Sequence, residues 1–266
     1  MAERFAGKGM KVVLADRDEH ALKQTAATIV ASGAQAIAVG CDVTRPEQVE
    51  NLADRAYEAF GTVHLLCNNA GVLGRILPSW EQPLANWDWV FGVNVKGIIN
   101  GQHFFVPRML KQDSEAYVLN TCSIAGMING PFFAPYNASK HAALSITECL
   151  HHELRQVGSK IEVGALCPGW VNTGLAKVEE KLPEELYVVN QTAAQAKIVA
   201  ERDQSVRKMV SESISPEEIA DIVVAAIEEG RFWIFPHPER KADAAARMDE
   251  IQDERIPGFP AKARSV

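Results

Sequence analysis

Residues 11–40 read KVVLADRDEH ALKQTAATIV ASGAQAIAVG, and this stretch sets the architecture. Residues 11–15 form a short apolar run, residues 19–31 carry an amphipathic helical pattern, and residues 35–40 turn apolar again. Strand, helix, strand in that order predicts parallel neighbours with a helix packed over them. The rhythm continues downstream, with strands expected over 63–67, 116–120, 162–166 and 232–235. Helices are expected over 46–60, 84–111, 135–157 and 216–229, Pro46 and Pro216 serving as first-turn residues. The expectation is an α/β fold, a doubly wound parallel sheet in three α/β/α layers, forming a single domain over residues 1–266. In such a fold, ligands bind at the carboxyl ends of the strands.

Composition narrows the function classes. With 47% hydrophobic and 23% charged residues, the chain has the balance of a folded domain rather than of a disordered or collagen-like one. A net charge of −7 and the absence of any Lys/Arg-rich stretch argue against a nucleic-acid partner, whose affinity rests on clustered positive charge. No apolar run approaches the roughly 20 residues that span a bilayer, so no membrane partner is expected. Cys41, Cys67, Cys122, Cys149 and Cys167 are scattered without a CxxC pair, which fits a reducing, cytoplasmic location and inert core thiols. The histidines show no metal-ligand spacing, and no metal is expected.

The most informative chemistry lies in Tyr136-Asn137-Ala138-Ser139-Lys140, at the start of a helical pattern. The i, i+4 spacing puts the phenol and the ammonium on one helix face. An unperturbed phenol, with a pKa of about 10, is a poor base at neutral pH, and a neighbouring positive charge favours its ionised form. Taken alone, the pair is also what an ordinary helix surface carries. Upstream, Ser123 follows a strand that delivers its hydroxyl to the ligand edge, where it can hold a substrate oxygen.

Joined to Asn68-Asn69-Ala70-Gly71, to Asn94 in Val93-Asn94-Val95, and to Pro168-Gly169-Trp170-Val171-Asn172-Thr173, this order of motifs resembles the short-chain dehydrogenase/reductase family over nearly the whole chain. The resemblance implies a Rossmann-like fold and an NAD(P)-dependent oxidoreductase interconverting a secondary alcohol and a ketone by hydride transfer. It implies Tyr136 as general acid/base, Lys140 lowering its pKa and holding the nicotinamide ribose, Ser123 orienting the substrate oxygen, and Asn94 anchoring a relay water. By the same resemblance, Asn69, Ala70 and Gly71, with Pro168 and Gly169, belong to the cofactor site, and Val171 and Thr173 contact the carboxamide. Asp42 and Val43, after the second strand, take the adenine-contacting position; as a cap for the helix from Pro46, Asp42 sits too early. Asp16 closes the first strand, where a carboxylate accepts from the adenosine ribose and repels a 2′-phosphate, favouring NAD over NADP. Arg17 beside it is able to receive such a phosphate. A homodimer or homotetramer is implied, the family pairing the helix that bears YxxxK with the one before it.

Substrate is less legible. Leu73, Trp80, Ile124, Phe132, Phe133 and Leu175 either line an apolar pocket for a hydrophobic alcohol or ketone or pack the core. Residues 174–215, with Leu175, Leu182, Leu186, Val188 and Val189, read as an amphipathic lid or as a surface helix pair. Residues 236–255 resemble a polar closing helix, open also to an oligomer contact.

The chain departs from the family at its start. Family members open with a strand and a TGxxxGxG turn that leads into a helix; here residues 1–9 match the end of that helix, with Gly7 and Gly9 as stops. In the family strand order 3-2-1-4-5-6-7 the absent strand is central, so its neighbours are expected to lose ladder partners and the pyrophosphate its N–H cradle. The expectation is that roughly 25 to 30 further N-terminal residues accompany the functional protein, that the sheet rearranges, or that a partner chain completes it. The alternative to an enzyme is a noncatalytic binding or regulatory protein of the same fold with impaired cofactor binding.

Overall fold

The computed structural model describes residues 1–176, 182–183, 186 and 193–258; Val188 and Val189 of the expected lid lie outside the described residues. The chain runs α1 (Ala2–Gly7), β1 (Val12–Asp16), α2 (Glu19–Ala31), β2 (Ala36–Gly40), α3 (Pro46–Phe60) and β3 (Leu65–Asn68). It continues through α4 (Leu84–Phe91), α5 (Gly97–Gln112), β4 (Ala116–Thr121), α6 (Ala134–Gln156), β5 (Ile161–Leu166), α7 (Ala193–Ser211), α8 (Pro216–Glu228), β6 (Trp233–Ile234) and α9 (Lys241–Gln252).

Local chemistry explains the boundaries. The Asp18 side chain accepts from His20 N and Ala21 N and so starts α2. α3 begins with Pro46, buries Val49, Ala53 and Ala56 along one stripe, and ends at Gly61 with φ 78°. α8 opens on a reciprocal cap, Glu218 N donating to Ser215 Oγ and Ser215 N to the Glu218 carboxylate. α1 stops at Gly7, and Gly9 takes φ 85°, a left-handed turn that suits glycine.

Every strand pairing is parallel, as the rhythm of the sequence predicts. The strands nevertheless fall into two sheets, β1-β2 and β3-β4-β5-β6, rather than one. The division lies between β1 and β3, where the resemblance places a further strand. Two shared cores hold the parts together. On one face Val13 of β1 and Leu66 of β3 join Val49, Ala53 and Ala56 of α3, Phe105 and Met109 of α5, and Leu150 and Leu154 of α6. On the other, Met10 and Leu65 join Phe5 of α1 and Ile219, Val223 and Val224 of α8. Arg4 pairs with Asp221 at 2.8 Å and Lys8 with Glu228 at 2.6 Å, fastening α1 to α8 from outside.

The expected single helix over 84–111 is found over Leu84 to Gln112, but it contains a π-helical turn over Gly92–Lys96 that divides α4 from α5. Apolar periodicity does not register such a turn, which inserts an extra residue without breaking the helix. Residues 174–215, read as an amphipathic lid or a surface helix pair, hold α7, and the expected polar closing helix is α9.

β4 is buried on both faces, as a strand flanked by two parallel neighbours and two helical layers must be. Leu119 at its centre is fully buried, whereas Leu110 on α5 is 40% exposed. Leu119→Ala is expected to cost about 2 to 5 kcal/mol of stability and Leu110→Ala within about 0.5. Chemical denaturation of both variants beside the wild type checks the contrast.

Candidate active site

The site begins where β4 ends. Ser123 stands in extended backbone before a tight turn over Ile124–Gly126, and its Oγ accepts from Ala125 N at 3.1 Å. Ile124 N donates to Pro168 O at 2.9 Å, tying this turn to the one after β5. Gly126 lets the turn press on α6: a Cβ there would stand 2.7 Å from the Lys140 carbonyl oxygen. That approach brings Ser123 beside Tyr136, in the first turn of α6.

Lys140, one helical turn beyond Tyr136, is 3% exposed, and its Nζ donates to Thr121 O at 2.7 Å. The ammonium lies 5.7 Å from the centroid of the Tyr136 ring. Burial lowers the Lys140 pKa to about 8. Burial raises that of Tyr136 to about 12, and the Ser123 hydroxyl pulls it back only in part. In the protein alone desolvation dominates the phenol, and the ammonium is directed to a backbone carbonyl.

Asn94 lies in the π turn and is fully buried. Its Oδ1 accepts from Val72 N at 2.8 Å, and its Nδ2 donates to Val72 O at 2.9 Å and to Ser139 Oγ at 3.0 Å. Both amide N–H donors are thus engaged. The amide acts as a clamp between the loop after β3 and α6.

The expected cofactor residues gather along the carboxyl ends of the strands. Asp16 and Arg17 are exposed after β1, and Asp16 Oδ1 accepts from Asp18 N at 2.9 Å. Asp42 Oδ1 closes a turn onto Thr44 N and Thr44 Oγ1 at 2.9 and 2.8 Å, while Val43 O accepts from Asn100 Nδ2 at 2.8 Å. Asn69 and Ala70 are exposed after β3, and Asn69 Oδ1 accepts from Thr121 Oγ1 at 2.9 Å. A Cβ on Gly71 would stand 3.7 Å from Lys140 Nζ and 3.6 Å from Asn94 Oδ1. After Pro168, Gly169 N donates to His237 Nδ1 at 3.0 Å, Val171 bridges to Ile214, and Thr173 Oγ1 accepts from Leu175 N at 3.3 Å.

An apolar cluster packs around Tyr136. Leu73, Phe132, Phe133 and Leu175, named from sequence, cluster there with Ile76, Trp170, Val206, Met209 and Val210. Trp80 does not join them; it is 83% exposed. Ile124 is buried at the Ser123 turn, outside this cluster. Val206, Met209 and Val210 come from α7, and only their i, i+3, i+4 spacing hinted at a buried stripe. Sequence reasoning also missed a polar ladder beneath the site, Asn68 Nδ2 to Asn120 Oδ1 at 2.8 Å and Asn120 Nδ2 to Thr147 Oγ1 at 3.0 Å. Asn68 belongs to the Asn68-Asn69-Ala70-Gly71 motif, but nothing in the sequence pairs it with Asn120 and Thr147. Among the described residues no three of His, Cys, Asp or Glu gather as metal ligands.

The buried ammonium has a measurable consequence. Because the folded pKa of Lys140 lies below its ordinary 10.5, at about 8, the unfolded chain binds the extra proton between those values. Stability from this group therefore rises with pH across that window, and below it the buried charge costs on the order of 3 kcal/mol. Lys140→Met is expected to be at least as stable as wild type at neutral pH and to lose this rise. Melting temperatures of both proteins from pH 7 upward read the difference directly.

Comparison with known proteins agrees with this geometry. The sequence model of the short chain dehydrogenase family matches residues 1–183. A CLA biosynthesis dehydrogenase/reductase from Lactiplantibacillus plantarum is 33% identical over 97% of this chain and 90% of its own length. A 1-deoxy-11-beta-hydroxypentalenate dehydrogenase from Streptomyces exfoliatus is 36% identical over 94% of this chain and 82% of its own. Among solved structures, a short chain dehydrogenase/reductase from Burkholderia phymatum in complex with NAD is 43% identical, with a TM-score of 0.92, covering 97% of this chain and 91% of that one. The chain belongs to the short-chain dehydrogenase/reductase family and is an oxidoreductase acting on CH–OH groups.

Proposed function

We propose that the chain interconverts a hydrophobic secondary alcohol and its ketone with NAD, using Tyr136 as general acid/base. The observation that carries this reading is the convergence of Ser123 and Lys140 on Tyr136 beneath an apolar wall. The donor chemistry fits a dinucleotide: Lys140 has three N–H donors and gives one to Thr121 O, leaving two for a ribose diol. When bound, the nicotinamide accepts hydride from the carbinol carbon or returns it to the ketone.

The protein residues manage the oxygen and its proton. In oxidation the Tyr136 phenolate takes the hydroxyl proton as the carbon–oxygen bond becomes a carbonyl; in reduction the phenol gives it back. Ser123 holds the substrate oxygen against Tyr136, and Lys140 holds the ribose. Asn94 keeps the Val72 loop and α6 in register. Asp42, Val43, Asn69, Ala70, Gly71, Pro168, Gly169, Val171 and Thr173 border the cofactor. With Tyr136 pushed up to about 12, the base form grows as pH rises, so oxidation accelerates toward alkaline pH.

Asp16 supports NAD over NADP, since its exposed carboxylate at the end of β1 repels a 2′-phosphate. The Burkholderia phymatum relative was solved with NAD. A hydrophobic substrate suits the apolar wall, and the Streptomyces exfoliatus relative is named for a hydroxypentalenate. Ile99 and Leu110 on α5 are 45% and 40% exposed, which supports pairing of copies through α5 and α6 as a homodimer or homotetramer. Five free cysteines suit a cytoplasmic location, and no helix among the described residues is long and apolar enough to cross a membrane.

The division of the sheet between β1 and β3 favours a second reading, a noncatalytic binding protein of this fold with weakened cofactor affinity. Calorimetric titration with NADH separates the two. Saturable NADH binding is expected, with Tyr136→Phe abolishing turnover while sparing it. Unchanged turnover in Tyr136→Phe overturns the assignment of Tyr136, and a folded chain that binds no NADH favours the second reading. Steady-state rates with both cofactors test Asp16, and a clear NADPH preference overturns its use.

A further inference from the structure

The pocket wall carries a cation that the oxidation itself does not use. Arg202, on α7, lays its guanidinium carbon 3.3 Å from the centroid of the Phe132 ring. Phe132 belongs to the same apolar cluster as Tyr136, so the cation rests on the cluster that also holds the phenol.

Phe132 is held there against its own backbone preference. Its φ is 72°, a left-handed conformation that bulky side chains rarely adopt. A polar network holds it: Leu77 N donates to Phe132 O at 3.2 Å, and Gln82 Nε2 reaches Leu77 O at 3.0 Å and Arg75 O at 2.9 Å. Asn86 Nδ2 donates to Gln82 Oε1 at 2.8 Å, and Gln82 and Asn86 are both buried. Such strain persists where surrounding contacts over-determine it, and it clusters at ligand-binding sites. The ring is a fixed platform, and Arg202 rests on it.

Stacking occupies the face of the guanidinium, and its N–H groups form a fork in the plane, directed away from the ring face. That fork matches a carboxylate, two parallel N–H donors to two oxygens. Among the described residues, the carboxylate whose charge acts on Arg202 is that of Glu81, on an exposed turn. Arg75, the neighbouring cation, already donates to Leu186 O at 2.7 Å. An apolar cluster that holds the Tyr136 phenol and carries a stacked arginine suits an amphiphile with an acid group.

We propose that Arg202 binds the carboxylate of the substrate, so that the chain acts on hydrophobic hydroxy- or oxo-carboxylic acids. Phe132 positions the guanidinium, and the chain between carboxylate and carbinol lies along the partly exposed members of the cluster, Phe133, Trp170, Leu175 and Met209. This rests on the alcohol–ketone reading above and adds the second point of attachment.

The test uses straight-chain secondary hydroxy acids whose spacer between carbinol and carboxylate lengthens one methylene at a time, each beside its methyl ester. Calorimetric binding and steady-state oxidation are measured for wild type, Arg202→Gln and Glu81→Gln. At the best spacer, wild type is expected to prefer acid over ester, and Arg202→Gln to raise KM for the acid roughly 10- to 100-fold. kcat and the ester constants should stay unchanged. Glu81→Gln removes a competing anion and is expected to tighten the acid alone, a gain that a merely structural Arg202 does not produce. An acid-to-ester ratio that Arg202→Gln leaves intact overturns the proposal, as does a wild type with no acid preference at any spacer. If neither acids, esters nor simple alcohols turn over, the oxidoreductase reading fails, and the binding titration still judges Arg202.

Discussion

A single buried amide sets the relative positions of the parts that do chemistry. Asn94 hydrogen-bonds both backbone groups of Val72, in the loop after β3, and reaches Ser139 on α6, whose hydroxyl in turn donates to Tyr136 O at 2.7 Å. Loop, π turn and catalytic helix are thereby joined by three hydrogen bonds in a dry interior, where a lost partner would leave a polar group unsatisfied at about 1 to 3 kcal/mol. The turn bearing Ser123 is locked to the same helix at Gly126, and to the Pro168 turn through Ile124 N. Ser123, Tyr136 and Lys140 meet because these contacts leave the segments little alternative.

The electrostatics follow from that dryness. An ammonium 3% exposed and a phenol beside it both resist ionisation, so the protein alone holds Lys140 at about 8 and Tyr136 at about 12. Cys122 and Cys167, just past β4 and β5, share this environment and lie within side-chain hydrogen-bonding reach of each other. Charge in the site is therefore expensive to hold, for the phenol as for the ammonium.

Much of this was legible before any coordinates. α2 and α3 begin and end where their amphipathic patterns and Pro46 indicate, and Gly9 stops the chain ahead of β1 as read. The division of the sheet was also legible, because the segment before β1 matches the end of a helix rather than a strand. What escaped was the geometry that periodicity does not encode. The π turn keeps the apolar pattern of one helix while shifting its phase, and Trp80, apolar and near the pocket in sequence, points to solvent. The role of Arg202 depends on α7 folding back over Phe132, a long-range contact with no local signature.

The π turn makes one helix serve two masters. α4, before it, buries Asn86 and Val90 toward the pocket loop; α5, after it, buries Phe105, Val106 and Met109 in the sheet core. An α-helix advances about 100° per residue, so the extra residue in Gly92–Lys96 sets the angle between these two faces. Losing one residue there would let the helix regularise and would swing the pocket loop around its axis while the core stayed in place. Residue count within this short segment is consequently a structural variable in its own right, one on which insertions and deletions act far more severely than replacements.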